Sequence, residues 1–215
     1  MMSRLLFEKT GESIYISHLD LMRIFQRAFR RAGLLLRHSQ GFTPRAIVSI
    51  ALPLSVGVES ECELLDYQLE QEAEVTPARL NAVLPEGIRV LEVYEETRKI
   101  KELTHLRVNV ALEYDATAPE TGTVEELFAR PALVLEKRSK TGTTEVDIRP
   151  MVQSIAVSRP DTHTLLLDAV ICAQNPSLNP QLLAQAVETY LPDAKPDFVR
   201  CRRMEVLDSE GNVFR

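Results

Sequence analysis

The residues best suited to chemistry are four arginines that recur at helical spacing near the N-terminus. At roughly 100° per residue they fall within about one third of a helix circumference. They are Arg23, Arg27, Arg30 and Arg31. Guanidinium groups bind phosphate oxygens bidentately, and on this helix only Asp20 offsets the four positive charges. The pattern predicts an anion-binding stripe for a phosphate backbone, with a solvated helix face as the alternative interpretation.

A loop of suitable composition follows the arginines directly, with the sequence SQGFTPR at residues 39–45. Gly41 allows the backbone to approach a ligand closely, and Phe42 can stack on a base. Ser39 adds a hydroxyl and Arg45 a further charge. The loop therefore extends the predicted binding surface, unless it is a packed turn that simply requires glycine and proline geometry.

Three residues are candidates for general acid–base chemistry, namely His18, Asp20 and Asp147. Such catalysis needs groups within roughly 3 Å of the reacting proton, which spacing alone does not reveal. His18 is equally suited to a structural or capping role. Asp147 and Arg149, two apart in a predicted strand, share a face and can form an internal salt bridge instead.

Cysteine usage argues against a metal centre held by this chain alone. Cys62, Cys172 and Cys201 are far apart and form no C-x-x-C pair, so no zinc or iron–sulfur site is expected. Scattered cysteines are typical of the reducing cytoplasm.

No apolar run approaches the roughly 20 residues of a membrane span, and no signal peptide is evident. We expect a cytoplasmic protein without a membrane association.

Charge is unevenly distributed within the formal net charge of −6. Residues 1–50 carry eight Lys/Arg against three Asp/Glu, a balance of +5, whereas residues 51–100 carry four against eleven, a balance of −7. Such asymmetry favours one surface for an anionic ligand and another that repels it or meets a basic partner.

The arginines must be positioned by a helix predicted over residues 18–32. Ser17 can cap its N-terminus, and Asp20 can return a bond to the Ser17 N–H as a capping box. Gly33 offers the left-handed residue that ends many helices. Apolar residues on the opposite face form a core stripe, with Leu21, Phe25 and Phe29 among them.

Alternation and turn signals predict the order β-α-β-β-α-β in the first half, the ferredoxin-like pattern. The strands are predicted at 4–9, 46–52, 61–71 and 88–96, the third with one wetter face, and the helices at 18–32 and 77–84. The second half repeats the theme with strands at 103–114, 152–159, 163–172 and 197–207 and helices near 123–130 and 180–191. A Thr123–Glu126 capping box and a hairpin around Lys140-Thr141-Gly142, bearing the basic residues Lys137, Arg138 and Lys140, complete it. We therefore predict an α+β protein of two ferredoxin-like halves with helices on one sheet face, 1–97 and 103–215, the second with an extra strand.

Several motifs together resemble a bacterial family, the radical SAM-linked domain of unknown function. They are Ser17-His18-Leu19-Asp20, the RAFRRAG run at 27–33, the SQGFTPR loop, Pro53-Leu54 with Gly57, Glu59 to Glu63, and the EVDIRP run at 145–150. The resemblance implies a protein fused to or encoded beside radical S-adenosylmethionine proteins, with a connection to RNA or the ribosome by association. The cluster motif of such enzymes is C-x₃-C-x₂-C, which this chain lacks. S-adenosylmethionine and the iron–sulfur cluster would therefore come only through a partner.

Three functions remain open at this stage. The first is an accessory protein of a radical-SAM system that binds RNA or another phosphate-bearing substrate through the arginines and the Gly41-Phe42 loop, without intrinsic catalysis. The second is an RNA-processing or RNA-modifying enzyme that uses His18/Asp20 or Asp147. The third is a docking module for a radical-SAM protein.

Overall fold

The computed structural model describes residues 2–139 and 142–215. The chain divides into two compact units, Met1–Glu102 together with Arg215, and Leu103–Phe214. The mixed α+β class expected from the sequence is confirmed by the alternation of strands and helices in both units. No helix among the described residues is long and apolar enough to cross a membrane.

Within the described part of unit 1 there are four antiparallel strands and two α-helices. In chain order these are β1 (Ser3–Lys9), α1 (His18–Arg31), β2 (Val48–Ile50), β3 (Val58–Tyr67), α2 (Pro77–Asn81) and β4 (Ile88–Glu95). The strand order is β4-β1-β3-β2, and each neighbouring pair is antiparallel. The element order β-α-β-β-α-β is therefore as predicted for this half of the chain.

The apolar stripe of α1 forms the core of unit 1 together with the sheet. The Phe25 ring meets the ring of Phe7 edge-on, with centroids 4.7 Å apart. The Phe29 ring lies 4.7 Å from that of Tyr67. All four are fully or almost fully buried, as is Leu21. Burial of a large apolar side chain stabilises by about 1.5–3 kcal/mol, so this contact fixes the helix on the sheet.

A buried ion pair crosses the two central strands of unit 1. The Nε of Arg4 donates to Oδ1 of Asp66 over 2.6 Å, and its Nη2 donates to Oδ2 over 3.0 Å. Arg4 is fully buried and lies opposite Tyr94 on the neighbouring strand β4. Burial raises the pKa of the Tyr94 hydroxyl to about 12. The prediction of a wetter face within β3 is wrong, because Leu64 and Asp66, which lie on that face, are both buried.

The described residues of unit 2 form six strands and two α-helices. They are β5 (His105–Glu113), α3 (Thr121–Phe128), β6 (Val134–Ser139), β7 (Gly142–Asp147), β8 (Val152–Asp161), β9 (Thr164–Cys172), α4 (Gln181–Tyr190) and β10 (Phe198–Leu207). The sheet order is β10-β5-β9-β8, all antiparallel, and β6 pairs with β7 as a separate hairpin. Lys140 and Thr141 of the predicted turn lie outside the described residues, as do the side chains of Lys137 and Arg138.

The Thr123–Glu126 capping box is not found, since α3 begins two residues earlier, at Thr121. Glu120 occupies the N-cap position without a side-chain cap bond. Its carboxylate instead pairs with Arg159 over 3.1 Å. The Thr123–Glu126 pattern is therefore not used as a cap, and the residue at the actual N-cap binds a side chain of β8 that is distant in sequence.

The Arg4–Asp66 pair leads to a prediction about stability. Replacing Asp66 by Asn removes the carboxylate that accepts both guanidinium bonds of Arg4 and leaves only the more distant carboxylate of Glu96, 3.7 Å from Nη2, near this buried charge. Breaking a buried pair costs about 3–5 kcal/mol. We expect Asp66→Asn to lower the free energy of unfolding by that order, measured by urea denaturation. The double variant Arg4→Met/Asp66→Leu should recover most of the loss, because both charges are gone. A double variant no more stable than Asp66→Asn would contradict this account.

The cysteines lead to a prediction about reactivity. Cys201 is buried, and burial raises the pKa of its thiol to about 12. Since only the thiolate is nucleophilic, Cys201 is almost wholly unreactive near pH 8. Cys172 is only half-buried. Iodoacetamide at pH 8, read by mass spectrometry, should therefore label Cys172 first and Cys201 only after unfolding. Rapid labelling of Cys201 in the native protein would overturn the prediction.

Candidate nucleic-acid interface

Helix α1, which carries the candidate arginines, begins and ends almost as predicted. The Ser17 hydroxyl accepts a hydrogen bond from the Asp20 N–H over 3.2 Å. Gly33 adopts a φ of +71°, and the Leu34 N–H beyond it donates to the Phe29 carbonyl over 2.9 Å. The N-terminal cap differs in one respect from a capping box. The Asp20 carboxylate accepts from the Ser17 hydroxyl over 2.7 Å rather than from the backbone.

The first arginine of the predicted stripe is engaged within the helix. Arg23 donates from Nη1 to Oδ1 of Asp20 over 2.9 Å. The Ser17 hydrogen bond, followed by that of Arg23, holds the pKa of Asp20 below its ordinary value. Asp20 therefore acts as an ionised cap residue, and its position gives it no raised pKa of the kind a general acid needs at neutral pH.

The last arginine of the stripe is also engaged. Arg31 donates from Nη2 to the Val83 carbonyl, just past α2, over 2.7 Å. In the reverse direction Arg79 of α2 donates to the carbonyls of Ala32 and Glu74 over 3.0 and 2.9 Å. The bonds to Val83 and Ala32 satisfy carbonyls just beyond the C-terminal ends of α2 and α1. Arg31 thus helps to dock α1 against α2.

The two middle arginines line a cavity of about 420 Å³. Arg27 and Arg30 are exposed, and no ion pair joins either to a carboxylate among the described residues. The other lining residues are Gln26, Leu34, Leu35, Leu36, His38, Ala46 and Glu70. The cavity therefore combines two exposed cations with an apolar wall and one acid.

The predicted loop rises from the wall of this cavity. His38 and Ala46, which both line it, form an antiparallel bridge at the base of the loop. The Ser39 N–H donates to the Arg45 carbonyl over 2.8 Å, and the Arg45 N–H donates to the Ser39 hydroxyl over 3.1 Å. Ser39, predicted as a ligand contact, thus closes the loop.

The tip of the loop presents an aromatic ring to solvent. Phe42 is the most exposed of the large apolar side chains that are described, with a relative exposure of 109%. Gly41 before it has a φ of +129° and open space around its Cα, so the glycine serves backbone conformation rather than close packing. A fully exposed phenylalanine contributes no apolar burial to this unit, and its ring is accessible to another molecule.

The remaining acid–base candidates have structural contacts. Asp147 accepts through Oδ1 from the backbone N–H groups of Leu133 and Arg149, over 2.8 and 3.0 Å. The expected Asp147–Arg149 salt bridge is wrong, because the Arg149 guanidinium donates to the Val152 carbonyl instead. His18 is half-buried, and its Nδ1 is buried without a hydrogen-bond partner. The structure therefore shows no oriented acid–base pair among these three residues.

Sequence reasoning missed the wall of the cavity. Glu70 falls within the strand predicted at 61–71, and Leu34 to Leu36 are three consecutive leucines without a periodic pattern. The signal that could have found the site is Leu35, an apolar residue with a relative exposure of 59% between two buried neighbours. Burial alternates from Leu34 to Leu36 beside the isolated bridge between Leu36 and Leu69, and three identical residues in the sequence do not reveal this alternation.

A second cavity, in unit 2, has the opposite electrostatic character. It measures about 330 Å³ and is lined by Glu113, Asp115, Asp161 and Asp197, among others. The backbone N–H of His163 holds the pKa of Asp161 below its ordinary value, and one basic residue, Arg200, pairs with Glu113 over 2.6 Å. This surface repels phosphate. Among the described residues no group of three or more His, Cys, Asp or Glu side chains is arranged to hold a metal ion.

The chain belongs to a bacterial family, because the family model described as "Uncharacterized protein conserved in bacteria (DUF2344)" matches residues 3–180. No curated protein is significantly similar to it in sequence.

Solved structures share the fold at low sequence identity. A chain of the crystal structure of a Cbf5-Nop10-Gar1 complex superimposes with a TM-score of 0.55 at 10% identity, covering 95% of this chain and 48% of that one. A chain of the archaeal box H/ACA sRNP Nop10-Cbf5 complex gives a TM-score of 0.50 at 9% identity, covering 94% and 46%. This chain thus spans about half the length of those it matches, and at such identity the likeness concerns the fold alone.

The cap of α1 leads to a prediction about pH. Replacing Ser17 by Ala removes the N-cap, at a typical cost of about 1 kcal/mol, and also removes the main cause of the lowered Asp20 pKa. A carboxyl whose folded pKa lies below its unfolded value contributes stability near neutral pH, and loses it as pH falls through the folded pKa. Urea unfolding should therefore show a smaller loss of stability between pH 7 and pH 3 for Ser17→Ala than for the wild type.

Ser49→Ala, at an exposed position on β2, is the matched control and should leave the pH profile unchanged. An identical acid dependence in Ser17→Ala and the wild type would show that the Asp20 cap does not contribute.

Proposed function

We propose that this member of the DUF2344 family is an accessory protein that binds RNA, or another phosphate-bearing substrate, through the cavity beside α1. The observation that carries the proposal is the pair Arg27 and Arg30, two exposed cations on one helix face that form no ion pair with a carboxylate of the described residues. The exposed Phe42 on the adjoining loop supports it.

The spacing of the two arginines suits consecutive contacts along a phosphate backbone. Residues three apart on a helix have Cβ atoms about 5–6 Å apart, so both guanidinium groups reach the same side. Each can form bidentate bonds to a phosphate. Arg31 and Arg45 add charge at the margins, although Arg31 has its carbonyl contact and Arg45 closes the loop through its backbone.

Phe42 provides a contact of a different kind. Stacking of a base on an aromatic ring contributes about 1–3 kcal/mol and tolerates any base, because every base has a π-face. It lies on the loop whose base, His38 and Ala46, lines the cavity, so a nucleotide bound to the arginines could stack a neighbouring base on it. The fold likeness to chains of box H/ACA sRNP complexes agrees with an RNA ligand, although a shared fold does not by itself assign a function.

We further propose that catalysis, if this system performs radical chemistry, comes from a radical-SAM partner that supplies S-adenosylmethionine and the iron–sulfur cluster. The resemblance noted in the sequence supports this link.

One feature of unit 1 favours docking of a protein as a second function. Tyr15, Leu19 and Val56 are exposed by more than half, and the Gly57 N–H next to Val56 donates to the carbonyl of Ile14, next to Tyr15.

We also interpret the two units as ferredoxin-like halves. In unit 1 the order β4-β1-β3-β2, and in unit 2 the order β10-β5-β9-β8, place the first and third strands of each β-α-β-β-α-β sequence at the centre of an antiparallel sheet. The hairpin β6–β7 is then an insertion between α3 and β8, and β8 is the second strand of the β-α-β-β-α-β sequence in unit 2.

RNA binding can be tested by fluorescence anisotropy over a salt series. We expect wild-type affinity to fall as salt rises, because each phosphate contact with a single strand releases about 0.7 counterion. Arg27→Glu/Arg30→Glu should lower affinity at least about tenfold at low salt and reduce the salt slope by about 1–2. Arg27 and Arg30 are exposed, so circular dichroism and the unfolding midpoint should stay unchanged.

A matched control with the same change in charge is Arg89→Glu/Lys99→Glu, two exposed residues of unit 1 that do not line the cavity. Equal losses in the two double variants would indicate a diffuse charge effect and reject a localised site. Affinity of the wild type that is independent of salt would reject phosphate binding altogether.

A further inference from the structure

We infer that the cavity beside α1 binds a guanine base of a single-stranded RNA, with the base edge on Glu70 and the adjoining phosphate on Arg27 and Arg30. This inference rests on the proposed function and specifies its substrate. It follows from the charges and the shape of one cavity in unit 1.

The cavity suits a flat, largely apolar group. Its volume of about 420 Å³ lies in the usual range of roughly 300–1,000 Å³ for small-molecule sites. Leu34 and Leu36 are buried beneath it, and Leu35 stands exposed at its wall. Leucine side chains can contact the faces of a base, and the exposed apolar area of Leu35 would be removed from water when a base enters.

Glu70 sets the polarity of one end of the cavity. Its backbone is held in place, because its N–H donates to the Leu35 carbonyl over 2.8 Å and the preceding Leu69 bridges to Leu36. Of the described residues that line the cavity, Glu70 alone carries a carboxylate. An ionised carboxylate only accepts hydrogen bonds. The group bound at this end must therefore present donors.

Guanine meets this requirement better than the other bases. Its N1–H and N2–H point in the same direction and can bind both oxygens of one carboxylate. The corresponding edges of adenine, cytosine and uracil each place an acceptor beside their donor, which would face a carboxylate oxygen unfavourably. A site that binds a donor pair in this way discriminates strongly against an analogue without one.

The opposite charges of the cavity fix the orientation of the ligand. Phosphate is attracted to Arg27 and Arg30 and repelled by Glu70, so a nucleotide enters with its base toward the acid. The edge that Glu70 would bind is the Watson–Crick edge, which is occupied in a duplex. The substrate is therefore single-stranded, as in most sequence-specific recognition of RNA.

The experiment compares uridine-tract oligonucleotides that differ at one central base. Fluorescence anisotropy at low salt should show at least about tenfold tighter binding with central guanosine than with adenosine, cytidine or uridine. Inosine, which lacks only the N2 amine, should lose most of this preference. The guanosine oligonucleotide annealed to its complement should also bind more weakly than the single strand.

Glu70→Gln should abolish the preference for guanosine while leaving salt-dependent binding of all the oligonucleotides. Glu72→Gln, at an exposed position two residues away that does not line the cavity, is the matched control and should bind as the wild type does. The inosine comparison uses the wild-type protein, so it decides the matter even if a variant fails to fold.

The outcomes separate the two proposals. Salt-dependent binding that is equal for guanosine and inosine, or a preference for guanosine that survives in Glu70→Gln, would overturn the guanine site and leave RNA binding intact. The absence of salt-dependent binding for every oligonucleotide would overturn the proposed function itself.

Discussion

The buried ion pair between Arg4 and Asp66 sets the register on which unit 1 depends. Both guanidinium bonds to the carboxylate are short, and Arg4 is fully buried. A slip of one residue between β1 and β3 would separate the charges and turn every side chain to the opposite face, so alternative registers are strongly disfavoured. The same register places Phe7 against Phe25 of α1 and ends β3 at Tyr67, three residues before Glu70. The positions of α1 and Glu70, which both line the cavity, therefore depend on this register.

The four arginines of α1 divide their roles according to position. Near the N-terminus of α1 Arg23 pairs with Asp20, and at its C-terminal end Arg31 donates to a carbonyl near α2. Helix ends expose backbone groups and capping residues that bind such side chains. Arg27, in the middle of the helix, and Arg30, in its last turn, line the cavity instead. A stripe that looks uniform in sequence becomes two structural residues flanking a candidate binding pair.

Much of unit 1 could be predicted because its signals are local. The Ser17 cap, Gly33 and the apolar stripe of α1 specify a helix within a few residues, and the structure has it at His18–Arg31. Contacts distant in sequence escaped prediction. Arg4 and Asp66 are 62 residues apart, so their pairing is invisible without a register, and it reversed the expected exposure of β3. The role of Glu70 was missed for the same reason, since it depends on the backbone contact in which the Glu70 N–H donates to the Leu35 carbonyl.

A net charge of −6 does not argue against an anionic ligand, because screening confines the relevant field to a Debye length of about 8 Å at physiological salt. Within that distance the composition of the cavity matters more than that of the chain. The acid in its wall weakens attraction for phosphate in general, so it would be a poor feature for a non-specific RNA binder. It becomes useful if the ligand presents hydrogen-bond donors to Glu70 while its phosphate meets Arg27 and Arg30. The same carboxylate then excludes bases that place an acceptor there, so the cavity trades affinity for selectivity.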